Sequence, residues 1–122
     1  MFGWFKKNNE KQSLPNNAEE WKNKGNEYLH KGNYETALEC YSKAIELDNN
    51  YVAAYNNRGL AYQDLQNYAK AIEDYNRAIE LDNTLAEPYI GLYEVYKALN
   101  QPEKTEEYLA KAKELGYIPE EE

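Results

Sequence analysis

The chain is poor in the side chains that most chemistry depends on. Among 122 residues there is one cysteine, Cys40, one histidine, His30, and one methionine. A single cysteine excludes an internal disulfide and suits a reducing compartment. With no base near it in the sequence, Cys40 reads as inert. A lone histidine has no second imidazole with which to share a metal. His30 therefore reads as a solvated residue, and neither metal nor cofactor is expected. Basic residues are outnumbered, 14 Lys and Arg against 22 Asp and Glu, for a net charge of −8. Phosphate binding needs clustered cations, so nucleic acid is not an expected partner.

Long apolar runs are missing too, and a membrane span needs about 18 such residues. The opening segment puts Phe2, Trp4 and Phe5 ahead of Lys6 and Lys7. A secretory signal has the reverse order, so the expectation is a soluble, cytoplasmic protein. Aromatics beside lysines do suit weak contact with an anionic bilayer. This gives one alternative reading, a peripheral membrane adaptor, although the segment is too short to anchor alone. No Gly-rich phosphate loop, HExxH or GxSxG string occurs. The carboxylates Glu35, Glu39, Glu46, Asp74 and Glu80 fall into helical patterns and read as solvated faces. An enzyme is not expected.

Repetition is what the chain does have. Tyr34 to Asn50 reads YETALECYSKAIELDNN, and 34 residues later Tyr68 to Thr84 reads YAKAIEDYNRAIELDNT. The offset holds for Gly25 and Gly59, Tyr28 and Tyr62, Ala37 and Ala71, and Tyr41 and Tyr75. A fixed period of this size marks stacked helical repeats. Apolar residues recur at helical spacing through six segments, and the divisions follow: 1–17 flexible, 18–51, 52–85 and 86–119 repeats, 120–122 an acidic tail. Gly32 with Asn33, and later Asn67, supply helix stops and starts. Pro102 suits a first helical position, and Gly116 a stop. The aromatic share is mostly tyrosine, 13 against 2 Phe and 2 Trp. Tyrosine packs a ring while leaving its hydroxyl at a wet edge, so these side chains read as packing residues.

These residues resemble the tetratricopeptide repeat family. Its pattern, W-x2-L-G-x2-Y followed by A-x3-F and a further alanine, is met by Trp21, Gly25, Tyr28, Ala37, Tyr41 and Ala44. Tyr55, Gly59, Tyr62, Ala71, Tyr75 and Ala78 meet it again. The resemblance covers 18–119. It implies an all-α, right-handed α-solenoid of three helix–turn–helix repeats and a non-catalytic module for a protein or peptide partner. Gly25 and Gly59 are expected to meet Ala37 and Ala71 across the helix pair. In the third repeat Tyr93 and Thr105 replace the glycine and the first alanine, which predicts a wider or tilted last pair.

In that family the first helix of each pair lines the concave groove. The implied groove residues are Lys22, Asn23, Asn26 and His30, then Asn56, Asn57, Leu60 and Asp64, then Glu87, Ile90 and Glu94. Chaperone-binding co-chaperones hold a free carboxyl terminus with a lysine and asparagine on the first helix, an asparagine on the third, and a lysine and arginine on the fifth. Lys22, Asn26 and Asn57 match, and KGN at 24–26 and NNR at 56–58 also resemble that subfamily. Glu87 and Gly91 stand at the two cationic places. A co-chaperone with a partial clamp is the second alternative reading. Three repeats are a working minimum for such a stack, so self-association is a further expectation. It could involve the acidic tail in a neighbour's half-clamp.

Overall fold

The computed structural model describes residues 14–120. The aromatic segment with Phe2, Trp4 and Phe5, and the last two residues of the acidic tail, lie outside the described residues. Among the described residues six helices follow one another: α1 Ala18–His30, α2 Tyr34–Leu47, α3 Val52–Asp64, α4 Tyr68–Leu81, α5 Ala86–Ala98 and α6 Pro102–Glu114. The described residues contain no strand. None of their helices is long and apolar enough to cross a membrane.

Local chemistry sets the ends. The Asn17 side chain accepts from the Glu20 backbone N–H at 2.9 Å, capping α1. Asn67 caps α4 through the Lys70 N–H, whereas Asn33 makes no side-chain cap bond. Pro102 opens α6. The turn leaving α1 closes with Gly32 N–H to Leu29 C=O and Asn33 N–H to Tyr28 C=O. The same paired bonds, which need one left-handed residue, end α3, α5 and α6. That residue is Gly32 or Gly116 in two cases, but Gln66 (φ 62°) and Asn100 (φ 58°) in the others. A left-handed glutamine costs about 1–2 kcal/mol, which glycine relieves, while glycine's freer unfolded chain offsets about 0.4–1 kcal/mol. Gln66→Gly is therefore expected to stabilise the fold by about 0.5–1 kcal/mol, read as a higher urea midpoint with an unchanged slope.

Consecutive helices pack in antiparallel pairs, and each pair packs on the next. The first helices also touch across repeats, α1 on α3 and α3 on α5, whereas the second helices do not touch one another. A stack held closer along one row than the other curves toward the tighter row. The inner surface of this all-α repeat solenoid is thus built by α1, α3 and α5.

Its core is a string of small clusters at the seams. Trp21, Cys40, Ala44 and Ala54 form one, Ala37, Tyr41 and Ala61 a second, and Ala71, Tyr75, Leu92 and Val95 a third. Cys40 is fully buried in the first, and burial, with Glu39 adding, pushes its thiol up to about 12. That makes it a packing residue without thiolate character. The glycines also serve a partner that was not expected. A Cβ on Gly25 would fall 2.6 Å from Cε1 of Tyr41, and one on Gly59 would fall 2.9 Å from Cε1 of Tyr75. The atoms nearest these notches are those of the tyrosine rings.

Two further expectations need correction. The third pair is not wider, being in contact much as fully as the first two. With Tyr93 in the glycine's place, it closes on rings: Tyr108 stacks on Tyr96 with centroids 5.6 Å apart and meets Tyr89 at 6.4 Å. Asp74 is not on a solvated face. It is 5% exposed and accepts two bonds from Arg58, Nε to Oδ2 at 2.8 Å and Nη2 to Oδ1 at 2.9 Å. Arg58 also donates to Ser42 Oγ at 3.1 Å, so one guanidinium joins α2, α3 and α4. Burial opposes its charge, but the bonds and charge of Asp74 prevail and hold it above its ordinary value.

Candidate groove on the inner helices

The first part of the site starts from Tyr41, whose ring lies in the notch left by Gly25. Its hydroxyl donates to Asn26 Oδ1 at 2.5 Å. The same oxygen accepts from Asn57 Nδ2 at 2.9 Å, so α1 and α3 are bridged directly. Both bonds fall on Asn26 Oδ1, which orients the amide and leaves its N–H groups as donors. Asn57 in turn accepts from Asn56 Nδ2 at 3.4 Å. Lys22 lies one turn before Asn26 on the same helix face. Its ammonium is 6.0 Å from the Tyr51 ring centre and makes no ion pair among the described residues. This end of the groove therefore presents donors: an ammonium and two fixed amides.

The second part is a cavity of about 170 Å³ between α3 and α5, lined by Asn56, Leu60, Tyr75, Glu87, Ile90, Gly91 and Glu94. Tyr75 stands 34 residues after Tyr41. At its expected partner position Leu60 replaces asparagine, and a leucine accepts no bond. The Tyr75 hydroxyl donates to Gln63 Oε1 at 2.6 Å instead. Gln63 Nε2 then donates to Glu94 Oε1 at 2.9 Å, tying α3 to α5. The ring lies closer to Gly91 than to Gly59, so it fills the space a side chain at 91 would need. Burial, with Glu94 adding, raises the Asp64 carboxyl above its usual range.

Of the residues expected in the groove, Asn26 and Asn57 form the donor group with Lys22 beside them. Asn56, Leu60, Glu87, Ile90 and Glu94 line the cavity. Asp64 is exposed near it, coupled to Glu94. Asn23 and His30 are exposed on α1 and join neither group. Sequence reasoning missed Tyr41, Tyr75 and Gln63 as parts of the site. The 34-residue repetition of a tyrosine opposite a glycine was the available signal. A wider depression of about 720 Å³ lies at the end of the stack, where Tyr117 meets Tyr93 at 6.4 Å.

A TPR repeat model matches residues 25–66, and a tetratricopeptide repeat model matches 52–85. No curated protein matches the chain. Among solved structures, the chain resembles the first TPR of Spaghetti (RPAP3) bound to the HSP90 peptide SRMEEVD. Identity is 30%, coverage 81% of this chain and 79% of that one, and TM-score 0.79. The TPR2B domain of yeast Sti1 in its pHsp70 complex is similar at 30% identity, 80% and 78% coverage and TM-score 0.78. The first TPR domain of human RPAP3 gives 30% identity, 81% and 78% coverage and TM-score 0.78. The glycine notch filled by a tyrosine, the 34-residue period and these likenesses have one explanation: the chain belongs to the tetratricopeptide repeat family.

Proposed function

We propose that the chain is a non-catalytic interaction module that holds a peptide segment of a partner protein along the groove of α1, α3 and α5. The observation that carries this reading is the Asn26–Asn57 bridge, oriented by Tyr41 and flanked by Lys22. Fixed amide donors cost little reorganisation when a ligand carboxylate or carbonyl arrives. The likeness to the first TPR of Spaghetti bound to an HSP90 peptide, and to the TPR2B domain of Sti1 in its pHsp70 complex, supports a peptide-holding role. The test uses peptides with a free carboxyl end, selected from a random display library against the full chain. Their affinity is expected to fall at least about tenfold in Lys22→Ala, since a bond to a charged group contributes about 1.5–3 kcal/mol. Equal affinity for the variant contradicts the reading.

The donor group also favours a second, narrower reading: a co-chaperone that takes carboxylate-ended chaperone tails through a partial clamp. Glu87 and Gly91 weigh against high affinity. Two missing charge-assisted bonds remove about 3–6 kcal/mol. A peptide held at about micromolar strength by a full set of cations then falls to a Kd of about 0.2–25 mM. Anisotropy titration with labelled SRMEEVD is expected to give binding of that weak order. Micromolar binding lost in Lys22→Ala would establish the narrower reading instead.

A further inference from the structure

The cavity between α3 and α5 is apolar on its walls and bears only acceptors among its side-chain polar groups that remain unsatisfied. Leu60 and Ile90 form its sides, and the Tyr75 ring and the bare backbone of Gly91 form its floor. Asn56 Oδ1 is buried without a hydrogen-bond partner, although a buried acceptor strongly favours having one. Glu87 has no bonded partner among the described residues, and Glu94 uses only one carboxylate oxygen, toward Gln63. Asp64 lies near enough to Glu94 for that charge to raise its own carboxyl. At about 170 Å³ the space is below the about 300–1,000 Å³ typical of sites for whole small ligands, and suits one side chain.

We propose that this cavity receives a lysine or arginine side chain of the bound peptide. Such a side chain has an apolar stem and a head that only donates. The stem would lie along Leu60, Ile90 and the Tyr75 ring. The head would meet Glu87 and Glu94 and offset the acidic rim. An acidic or purely apolar side chain does not do both. The groove would thus be polarised, with donors at Lys22, Asn26 and Asn57 and acceptors at Glu87 and Glu94, and would fix the direction of a peptide with a carboxylate toward one end and a cation toward the other. This rests on the peptide-groove reading for the chain that carries the side chain, while the cavity itself is tested alone.

The probes are Nα-acetyl-lysine N-methylamide and its uncharged counterpart, Nα-acetyl-norleucine N-methylamide. Each is titrated into the full ¹⁵N-labelled chain while the amide shifts of Asn56, Leu60, Ile90 and Gly91 are followed. The lysine probe is expected to move these amides with an affinity at least about tenfold above that of norleucine. The advantage should vanish in E87Q/E94Q, whose two positions are exposed and whose fold is checked by its spectrum, and should persist in K22A. Equal affinity of the two probes, absence of shifts at these amides, or an unchanged lysine affinity in E87Q/E94Q would overturn the proposal. Lysine-probe binding without any selected peptide that responds to K22A sinks the groove reading and leaves the cavity standing. The reverse outcome sinks only the cavity.

Discussion

Placing arginine at 91, where the chaperone-binding subfamily carries one, is expected to destabilise this protein and not to create a clamp. The first atom of any side chain there, Cβ, would fall 2.6 Å from both Cε1 and Cε2 of Tyr75. That ring is 2% exposed, and its hydroxyl is held by Gln63 at 2.6 Å. It has little room to retreat, so overpacking of about 1–3 kcal/mol is expected. On a fold of this size that corresponds to a fall in melting temperature of roughly 4–20 °C. The cause is a chain of substitutions rather than one: Leu60 offers no acceptor, Tyr75 reaches Gln63, and its ring takes the space beside residue 91. Glu87→Lys, on an exposed position, is expected to fold normally and to raise affinity for SRMEEVD by about tenfold. Thermal melts and the same anisotropy titration read both variants. A fully stable Gly91→Arg that binds SRMEEVD at micromolar strength would contradict this account of the site.

The largest expected loss of stability comes from Asp74→Ala. The guanidinium of Arg58 would keep only Ser42 and the faces of Tyr55 and Tyr62, at 5.8 and 6.0 Å. Removing one partner of a buried ion pair costs about 3–5 kcal/mol because the other charge stays desolvated. The Arg58 side chain is 21% exposed and the Asp74 side chain 7%, so water reaches the stranded cation and the low end, about 3 kcal/mol, applies. That is a large share of the 5–15 kcal/mol of a typical domain. The double replacement Arg58→Met with Asp74→Leu is expected to come within about 1 kcal/mol of wild type, since neither charge is then stranded. Urea denaturation of the two variants separates these values. A loss below about 1 kcal/mol in Asp74→Ala would show that the pair does not hold α3 to α4.

The fold was legible because its period is carried by residues that only packing explains. Gly25 and Gly59, Tyr41 and Tyr75, and Ala44 and Ala78 recur at one spacing, and the helix ends at Gly32, Pro102 and Gly116 follow from backbone chemistry. What the sequence concealed lies across helices. Nothing local distinguishes Asp74 from Glu73, yet one is buried against Arg58 and the other is exposed. Position along α4 alone does not say where a guanidinium from α3 arrives. The role of Tyr41 in aiming Asn26 was hidden for the same reason, since the two are 15 residues apart and meet only through the Gly25 notch. Gly91 read as a missing arginine, whereas the fold uses it as the floor beneath which Tyr75 lies. Resemblance assigns positions to the groove by register, but contact depends on the side chains packed around them.

The most direct measurement is amide shift mapping of the full chain with a library-selected, carboxyl-ended peptide. The account predicts that the perturbed amides lie on α1, α3 and α5 around Lys22, Asn57 and Ile90. Perturbations confined to α2, α4 and α6 would contradict it.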